Sequence, residues 1–174
     1  MYLRELKGKD AERMLEWMHD ENVVENLSAN FKHMTINDCE EFIAKANLNE
    51  TKDLHRAICV DDDRYVGTIS LKNISYVDSN AEYAIALRTD AMGCGISSYA
   101  TKEILRIAFK ELGLHKVYLY VKETNIRARK FYKKIGFREE GCFLEHIKAK
   151  EGNYDTIYWF AMLEREFNEM EKEK

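Results

Sequence analysis

The sequence predicts an α/β fold, in which helices flank a mixed, twisted sheet of about seven strands. Two observations indicate this class. Segments rich in alternating or β-branched apolar residues, typical of strands, occur along the whole chain, and segments with helical periodicity separate them. The 174 residues are the usual length of one domain, and 45% of them are apolar, which is enough for a sizeable core. Because no linker or internal repeat divides the chain, we expect a single domain over residues 1–174.

The first half of the chain predicts a strand, two helices and three further strands. "YLREL" has the pattern of a short opening strand. Asp10 can cap the first helix, whose apolar residues recur at helical spacing over residues 14–18, and either Thr35 or Asn37 can cap the second, with apolar residues over 42–46. "HRAICV" and "YVGTISL", joined by the turn "DDD", have the pattern of a hairpin, and "AEYAIAL" adds a strand.

The second half predicts two more helices and three more strands. Residues 96–112 have strong helical periodicity, and Gly113 ends that helix. "KVYLYV" is rich in β-branched and aromatic residues, as strands are. Asn125 can cap a helix that ends at Gly136, and "FREEGCFLEHIKA" and "YDTIYWFAML" follow as closing strands. The predicted order is therefore β-α-α-β-β-β-α-β-α-β-β.

Composition excludes several classes of function. No run approaches the ~18 apolar residues of a membrane helix, and the charged N-terminus "MYLRELKGKD" lacks the apolar centre of a signal peptide. We therefore expect a cytoplasmic protein with no membrane partner. The net charge of −4 disfavours nucleic acid as a partner. The four cysteines form no Cys-x-x-Cys pair and join no histidine cluster, which predicts reduced thiols and no metal site.

A glycine-bearing turn, "DAMGCGISSY", joins a predicted strand to a predicted helix. The free N–H groups of a first helical turn bind anions, and Gly93 and Gly95 would let a phosphate approach the backbone. The sequence lacks the third glycine of a dinucleotide fingerprint and the Gly-Lys-Ser/Thr of a P-loop. By itself the stretch fits a plain tight turn as well as an anion site.

A second motif decides between these interpretations. "NIRARKFYKKIGF" has the pattern N-x-x-A-x-x-x-Y-x-K-x-G-F. Together with the strand, glycine turn and helix that precede it, this motif resembles the GNAT superfamily of N-acetyltransferases over nearly the whole chain. "MLEWMHDENVVENL" and "GNYDTIYWFAM" resemble the ribosomal-protein N-acetyltransferase group, which also contains enzymes for amino sugars and small amines.

The resemblance implies acetyl-CoA as the co-substrate and no metal. The edge of "AEYAIAL", near Ile85 to Leu87, would pair with the pantetheine arm where this strand and "KVYLYV" splay apart in the family. The N–H groups of the glycine turn would cradle the pyrophosphate; its residues are Met92, Gly93, Cys94, Gly95, Ile96 and Ser97. The family loop commonly reads Gln/Arg-x-x-Gly-x-Gly/Ala, and this chain has Asp90 at the Gln/Arg place, which removes a basic side chain.

The second motif supplies further candidate contacts with the cofactor. Asn125 would hydrogen-bond the pantetheine arm, cap the helix, or do both. The basic residues of this helix either contact the 3′-phosphate, with Arg127 and Lys130 as the best candidates, or form a solvated helix face. Cys94 is a poor candidate for an acyl-carrying nucleophile, since no histidine is placed by sequence to activate it.

Acetyl transfer needs a neutral amine, donors for the oxyanion and a proton for the departing thiolate. Tyr132 stands at the family's tyrosine position and is the candidate acid, with packing in the core as the alternative. Glu82 is the candidate base, acting through water, with a solvated strand carboxylate as the alternative. A backbone N–H near Leu87 could hold the oxyanion.

The resemblance leaves the acceptor open among a protein N-terminus, an amino sugar, an amino acid and a polyamine. The first two helices wall the acceptor pocket in this group, and Trp17, Phe31 and Tyr154 would line it or belong to the ordinary core. A non-catalytic acyl-CoA-binding module of the same fold is the alternative to an enzyme. The sequence leaves a homodimer open.

Overall fold

The computed structural model describes residues 1–25, 27, 29–48, 52–149 and 152–172. Seven strands in this part of the chain form one sheet. The strands, in chain order, are β1 (Tyr2–Arg4), β2 (Leu54–Val60), β3 (Arg64–Ser75), β4 (Asn80–Leu87), β5 (Lys116–Lys122), β6 (Arg138–Lys148) and β7 (Tyr154–Leu163). Their order across the sheet is β1-β2-β3-β4-β5-β7-β6, with β4 and β5 parallel and the other neighbours antiparallel. The predicted mixed sheet is confirmed.

Six α-helices accompany the sheet in the described residues. They are α1 (Ala11–Met18), α2 (Glu21–Val24), α3 (Ile36–Ala46), α4 (Ile96–Arg106), α5 (Ile126–Ile135) and α6 (Glu164–Lys172). A π-helical turn over Ile107–Glu111 continues α4, so the predicted helix over residues 96–112 is confirmed in its extent. None of these described helices is long and apolar enough to cross a membrane.

The helices cover the two faces of the sheet and create two apolar clusters. On one face, residues of α1 and α3 such as Met14 and Ile43 pack against β2 and β4. On the other face, residues of α4 and α5 such as Ile104 and Tyr132 pack against the opposite side chains of the same strands. Because strand side chains alternate between faces, consecutive residues of β4 serve different clusters. We call these the α1/α3 face and the α4/α5 face.

The structure differs from the sequence prediction at one helix cap. Thr35 caps α3 as expected, in a capping box with Asp38. Asp10 precedes α1, but its carboxylate does not cap that helix. It accepts from the backbone N–H of Lys7 at 2.8 Å and pairs with Arg4 at 2.7 Å. Asp10 is only 2% exposed, and a buried carboxylate is stabilised more by a guanidinium than by a helix terminus.

Two helices were absent from the prediction. The four residues of α2 are too few to show helical periodicity, although Asp20 caps this turn through the N–H of Asn22. Most residues of α6 are charged, and Phe167 is its buried residue, packing against Phe109. Phe167 and Met170 stand three positions apart and both pack against the core, which is a helical spacing that the prediction did not use.

Candidate active site

A gap opens between β4 and β5 in the middle of the sheet. The two parallel strands pair at three steps, from Asn80 opposite Lys116 to Glu82 opposite Tyr118, and the described pairing ends there. Beyond this point β4 continues to Leu87 beside β3 alone. The splayed strands expected from the family resemblance are therefore present, and the C-terminal half of β4 has one edge open.

The backbone groups that face the gap follow from the hydrogen-bond pattern of β3 and β4. Arg88 donates its backbone N–H to the Val66 carbonyl at 2.9 Å, and the register places Leu87 opposite Gly67. Backbone groups in an antiparallel ladder point alternately toward and away from the partner strand. Since the backbone N–H of Arg88 points toward β3, the backbone N–H and C=O groups of Ile85 and Leu87 point toward the gap. These are the two residues that the sequence assigned to the cofactor edge.

Gly67 brings β3 unusually close to this part of β4. A Cβ atom built at Gly67 would overlap the carbonyl oxygen of Ala86 and lie 2.8 Å from Cδ2 of Leu87. Any side chain at Gly67 would therefore displace the backbone of β4, because a carbonyl oxygen cannot rotate away as a side chain can. The position of the open edge thus depends on a glycine in the neighbouring strand.

The glycine turn lies between β4 and α4 and has left-handed backbone at two positions. Gly93 has φ +81° and Gly95 has φ +77°, and an added Cβ at either glycine would meet open space. Gly95 stands at the N-cap of α4, where no side chain caps the helix, and the first turn of α4 contains no acidic residue. Thr35 and Asn125 do cap α3 and α5. The start of α4 therefore combines exposed donors with room for an anion.

Asp90 lies among three arginines just before this turn. Its carboxylate is 3.3 Å from Nε of Arg88, 3.8 Å from Nη2 of Arg13 and 3.9 Å from Nη1 of Arg64. These cations offset the negative charge that Asp90 brings to the place where the family commonly has Gln or Arg. The departure from the family pattern therefore does not leave an isolated carboxylate beside the glycine turn.

The basic residues of α5 separate into two groups. Nη1 of Arg127 lies 3.9 Å from Sδ of Met92, so this side chain reaches the glycine turn, and Lys130 is exposed on the same helix. Lys133 instead pairs with Glu139 at 2.8 Å, and Arg129 lies over the ring of Tyr158, 3.6 Å from its centroid. Arg127 and Lys130, the two candidates for contact with the 3′-phosphate, are therefore not the basic residues that contact β6 and β7.

Asn125 is confirmed as a helix cap, since its side-chain oxygen accepts from the N–H of Ala128 at 3.0 Å. It follows β5, so α5 begins at the same end of the sheet as the glycine turn. Whether Asn125 also contacts a pantetheine arm stays a prediction. Cys94 is exposed, with its Sγ 3.7 Å from the Met92 carbonyl oxygen. No group of metal-ligating side chains occurs among the residues with described positions.

Tyr132 is buried on the α4/α5 face among aromatic rings. The ring of Tyr83 meets it edge-on at 5.7 Å, and Phe131, Phe137 and Phe160 also contact it, with centroids 5.1 to 6.3 Å away. Burial raises the pKa of Tyr132 well above its usual value, and a hydrogen bond involving Tyr83 lowers that pKa in part. A phenol is protonated at neutral pH whether or not it is buried, and the raised pKa makes Tyr132 a weaker acid than a free tyrosine.

Glu82 lies on the α1/α3 face, opposite to Tyr132. Its side chain is 17% exposed, pairs with Nζ of Lys72 at 3.0 Å and accepts from Nδ2 of Asn73 at 3.1 Å. Burial raises the pKa of Tyr118, and the charge of Glu82 raises it further. Glu82 occupies the last paired step of β4, where the gap begins. The two candidate catalytic side chains thus lie on opposite faces of β4.

An acidic cleft of about 380 Å³ adjoins the end of β4. It lies between α1, the start of α2 and the turn after β4. Its lining residues are Glu16, Trp17, Asp20, Arg88, Thr89 and Asp90. Trp17 donates its indole N–H to the Tyr65 hydroxyl at 2.9 Å and contacts Phe31 edge-on. Tyr154, the third aromatic residue expected to line an acceptor pocket, is 59% exposed at the start of β7 and does not line this cleft.

The sequence prediction missed the acidic residues of this cleft. The sequence signal that could have revealed them is the four-residue spacing of Glu16 and Asp20. This spacing places both carboxylates on the same side of the chain, one within α1 and one just after its C-terminal end. The third carboxylate, Asp90, comes from a distant part of the chain, so its position could not be read from local spacing. The cleft therefore emerges only in the folded chain.

Comparison with known proteins matches residues 1–138 to a family model described as "Acetyltransferase (GNAT) domain". An uncharacterized N-acetyltransferase of Bacillus subtilis is 28% identical over 168 residues, which cover 97% of this chain and 96% of that protein. A spermidine N(1)-acetyltransferase of Escherichia coli K12 is 28% identical over 170 residues, which cover 95% of this chain and 87% of that protein.

Solved structures show the same fold. The crystal structure of spermidine N-acetyltransferase from Vibrio cholerae, in complex with CoA and spermine, has a TM-score of 0.87 and 23% sequence identity to this chain. The match covers 96% of this chain and 97% of that one. At this identity the likeness is evidence for the arrangement of helices and strands.

Proposed function

This chain belongs to the GNAT family of acetyltransferases, and from that premise we propose that residues 1–174 form one domain that transfers acetyl directly from acetyl-CoA to a primary amine of a polyamine. Family membership and relatives named N-acetyltransferases make the protein an acetyl-CoA-dependent enzyme, in preference to a non-catalytic acyl-CoA-binding module. The choice of a polyamine rests on the relatives named spermidine N(1)-acetyltransferase and on the carboxylates of the acidic cleft at the end of β4, since a polyamine is an extended cation.

Three features of the described residues fit acetyl-CoA. The two left-handed glycines leave open space beside the turn, the first turn of α4 has uncapped donors, and Arg127 reaches Met92. We place the pyrophosphate against the N–H groups of residues 92–97 and the 3′-phosphate near Arg127 and Lys130. The outward groups of Ile85 and the outward carbonyl of Leu87 pair with the pantetheine arm, and Asn125 assists from the start of α5.

The opposed positions of the two candidate catalytic side chains suit a direct transfer. Tyr132 donates a proton to the departing thiolate from the α4/α5 face. Glu82 accepts a proton from the amine, through water, from the α1/α3 face, which also carries the acidic cleft. The backbone N–H of Leu87 points into the gap beyond Glu82, where it can stabilise the oxyanion.

The acidic cleft favours a cationic acceptor over the other amines considered. Its described charged lining residues are three carboxylates and Arg88, and the arginines around Asp90 offset the charge of that carboxylate. Glu16, which contacts Arg88, and Asp20, which accepts from the Thr89 hydroxyl at 2.5 Å, are left to face a cationic acceptor. The relatives named spermidine N(1)-acetyltransferase support the same acceptor class. A protein N-terminus, an amino sugar and an amino acid carry fewer positive charges to match this cleft.

We expect spermidine to be acetylated faster than an amino sugar, an amino acid or a peptide N-terminus when thiol release is followed with a panel of amines. Glu16→Gln should raise KM for spermidine about tenfold, because one charge-assisted contact is lost, and should change kcat less. Glu12→Gln is the matched control, since Glu12 is exposed on the same helix outside the cleft. A spermidine KM that stays unchanged in Glu16→Gln, or rises equally in both variants, would contradict the acceptor assignment.

Glu82→Gln should lower turnover near neutral pH and change the pH dependence of the rate. A base acts in its deprotonated form, so the wild-type rate should rise with pH through the pKa of that base, and the variant should recover at high pH, where neutral amine is plentiful. Lys72→Met is the control, because it breaks the same ion pair and retains the carboxylate. If Lys72→Met reproduces the loss, or Glu82→Gln keeps the wild-type pH–rate curve, then Glu82 is a structural carboxylate.

A further inference from the structure

A chain of buried hydroxyl groups runs from β4 into α4 beside Tyr132. The Tyr83 hydroxyl lies 2.8 Å from Oγ1 of Thr101, and Thr101 donates to the carbonyl oxygen of Ser97 at 2.7 Å. Tyr83 is 3% exposed and Thr101 is 0% exposed. Ser97 belongs to the first turn of α4, directly after the glycine turn.

Each hydroxyl has one hydrogen, and this determines which group donates in each of these hydrogen bonds. A carbonyl oxygen can only accept, so the single hydroxyl hydrogen of Thr101 is used by Ser97. Tyr83 must therefore donate its own hydrogen to Thr101 in the resting state. A threonine that bonds the carbonyl four residues earlier is common in helices, so Thr101 is held in place by α4 itself.

Tyr83 has a second partner, which is Tyr132. The two rings meet edge-on, with centroids 5.7 Å apart and planes at 86°. Both side chains are buried, and the other rings around Tyr132 belong to phenylalanines. Among the described residues, Tyr83 is the group that lowers the pKa of Tyr132 against the effect of burial. A phenolate left at Tyr132 would lie beside buried phenyl rings and would be stabilised by this hydroxyl, because a poorly solvated charge is costly.

We propose that Tyr83 is a positioning residue for Tyr132, whose hydroxyl turns from Thr101 to the Tyr132 oxygen when Tyr132 gives up its proton. The proposal rests on the role of Tyr132 as the general acid in the proposed function. In the resting state Tyr83 donates to Thr101, which leaves the Tyr132 proton available to the gap. After proton transfer Tyr83 donates to the new phenolate, and the phenolate is stabilised without a change in the packing of the rings.

The proton balance of this step is complete. The O–H bond of Tyr132 breaks and an S–H bond forms on the departing thiolate. The hydrogen of Tyr83 stays covalently on Tyr83, and only its hydrogen bond moves by rotation about the Cζ–O bond. The amine loses one proton when the amide forms, and that proton, passed through solvent, restores the Tyr132 phenol. No further reactant is required.

A double-mutant cycle tests the proposal with acetyl-CoA and spermidine. Tyr83→Phe keeps the ring and should lower kcat roughly tenfold, because a hydrogen bond to a charged group is lost, while KM for acetyl-CoA changes little. In a Tyr132→Phe background, Tyr83→Phe should lower kcat no further, since Tyr83 acts through Tyr132. Wild-type kcat in Tyr83→Phe, or an equal loss in both backgrounds, would overturn the proposal.

A spectroscopic measurement tests the same contact without an acceptor. 3-Fluorotyrosine at position 132 should show a changed ¹⁹F shift in Tyr83→Phe, and an unchanged shift in Tyr65→Phe. Tyr65 is the matched control because its buried hydroxyl bonds to Trp17 and Thr68 within the α1/α3 cluster. An unchanged ¹⁹F shift in Tyr83→Phe would overturn the proposal.

The outcomes distinguish this inference from the proposed function. If Tyr132→Phe is slow and Tyr83→Phe is as fast as the wild type, the inference fails and the acid role of Tyr132 stands. If Tyr132→Phe itself keeps the full rate, the acid assignment fails, and the inference fails with it.

Discussion

Tyr132→Phe is expected to lower kcat by roughly 100-fold or more while KM for acetyl-CoA changes much less. The phenylalanine keeps the ring among Tyr83, Phe137 and Phe160, so the fold should be retained. What is lost is one hydroxyl, which is protonated at neutral pH. Since that proton is needed when the C–S bond breaks, the loss should appear in the transition state and little in cofactor binding.

The leaving group provides the sharper test of this role. An acyl donor whose thiol is a better leaving group needs less protonation, so the variant should be least impaired with such a donor. Thermal unfolding serves as the control for packing, because a residue that only fills the core would change stability little when ring and volume are kept. Full activity in Tyr132→Phe, with the chemical step shown to limit the rate, would remove Tyr132 from the mechanism.

Gly95→Asp is expected to weaken acetyl-CoA binding by roughly 100-fold or more. Gly95 has φ +77°, which aspartate adopts less readily, and its missing side chain leaves open space at the start of α4. Aspartate would place both a side chain and a negative charge where we propose the pyrophosphate lies. Calorimetric titration with acetyl-CoA measures the effect.

Gly113→Asp is the matched control for that experiment. Gly113 has φ +65° and also faces open space, but it follows the far end of the α4 segment. The control therefore carries the same backbone strain and the same charge, away from the glycine turn. Equal affinity for acetyl-CoA in the two folded variants would contradict the proposal that the glycine turn binds the pyrophosphate.

The sequence predicted local features of the fold and the site better than features that depend on distant residues. The strands, the α3 and α5 helices with their Thr35 and Asn125 caps, and the glycine turn each have a signal within about a dozen residues. The order of the strands across the sheet has no such signal. The position of the gap came from the family resemblance, since no periodicity shows where two parallel strands separate.

The features that the sequence did not reveal combine residues far apart in the chain. The acidic cleft joins Glu16 and Asp20 to the turn after β4, about 70 positions later. Tyr83 was predicted as a strand residue, but its partners Thr101 and Tyr132 come from two different helices. Asp10 was assigned wrongly for a different reason, since its partner is only six positions away. Its partner Arg4 lies in β1, and the burial of the pair is decided by tertiary packing.

The close approach at Gly67 has a consequence for anyone who wishes to redesign this scaffold. Because β3 and the end of β4 touch backbone to backbone, the hairpin transmits any change in its own packing to the edge beside the gap. The acidic cleft, in contrast, is built from α1 and the turn after β4. Libraries for a new acceptor should therefore diversify the cleft and keep the β3–β4 hairpin constant, so that selectivity can evolve while the chemical step stays aligned.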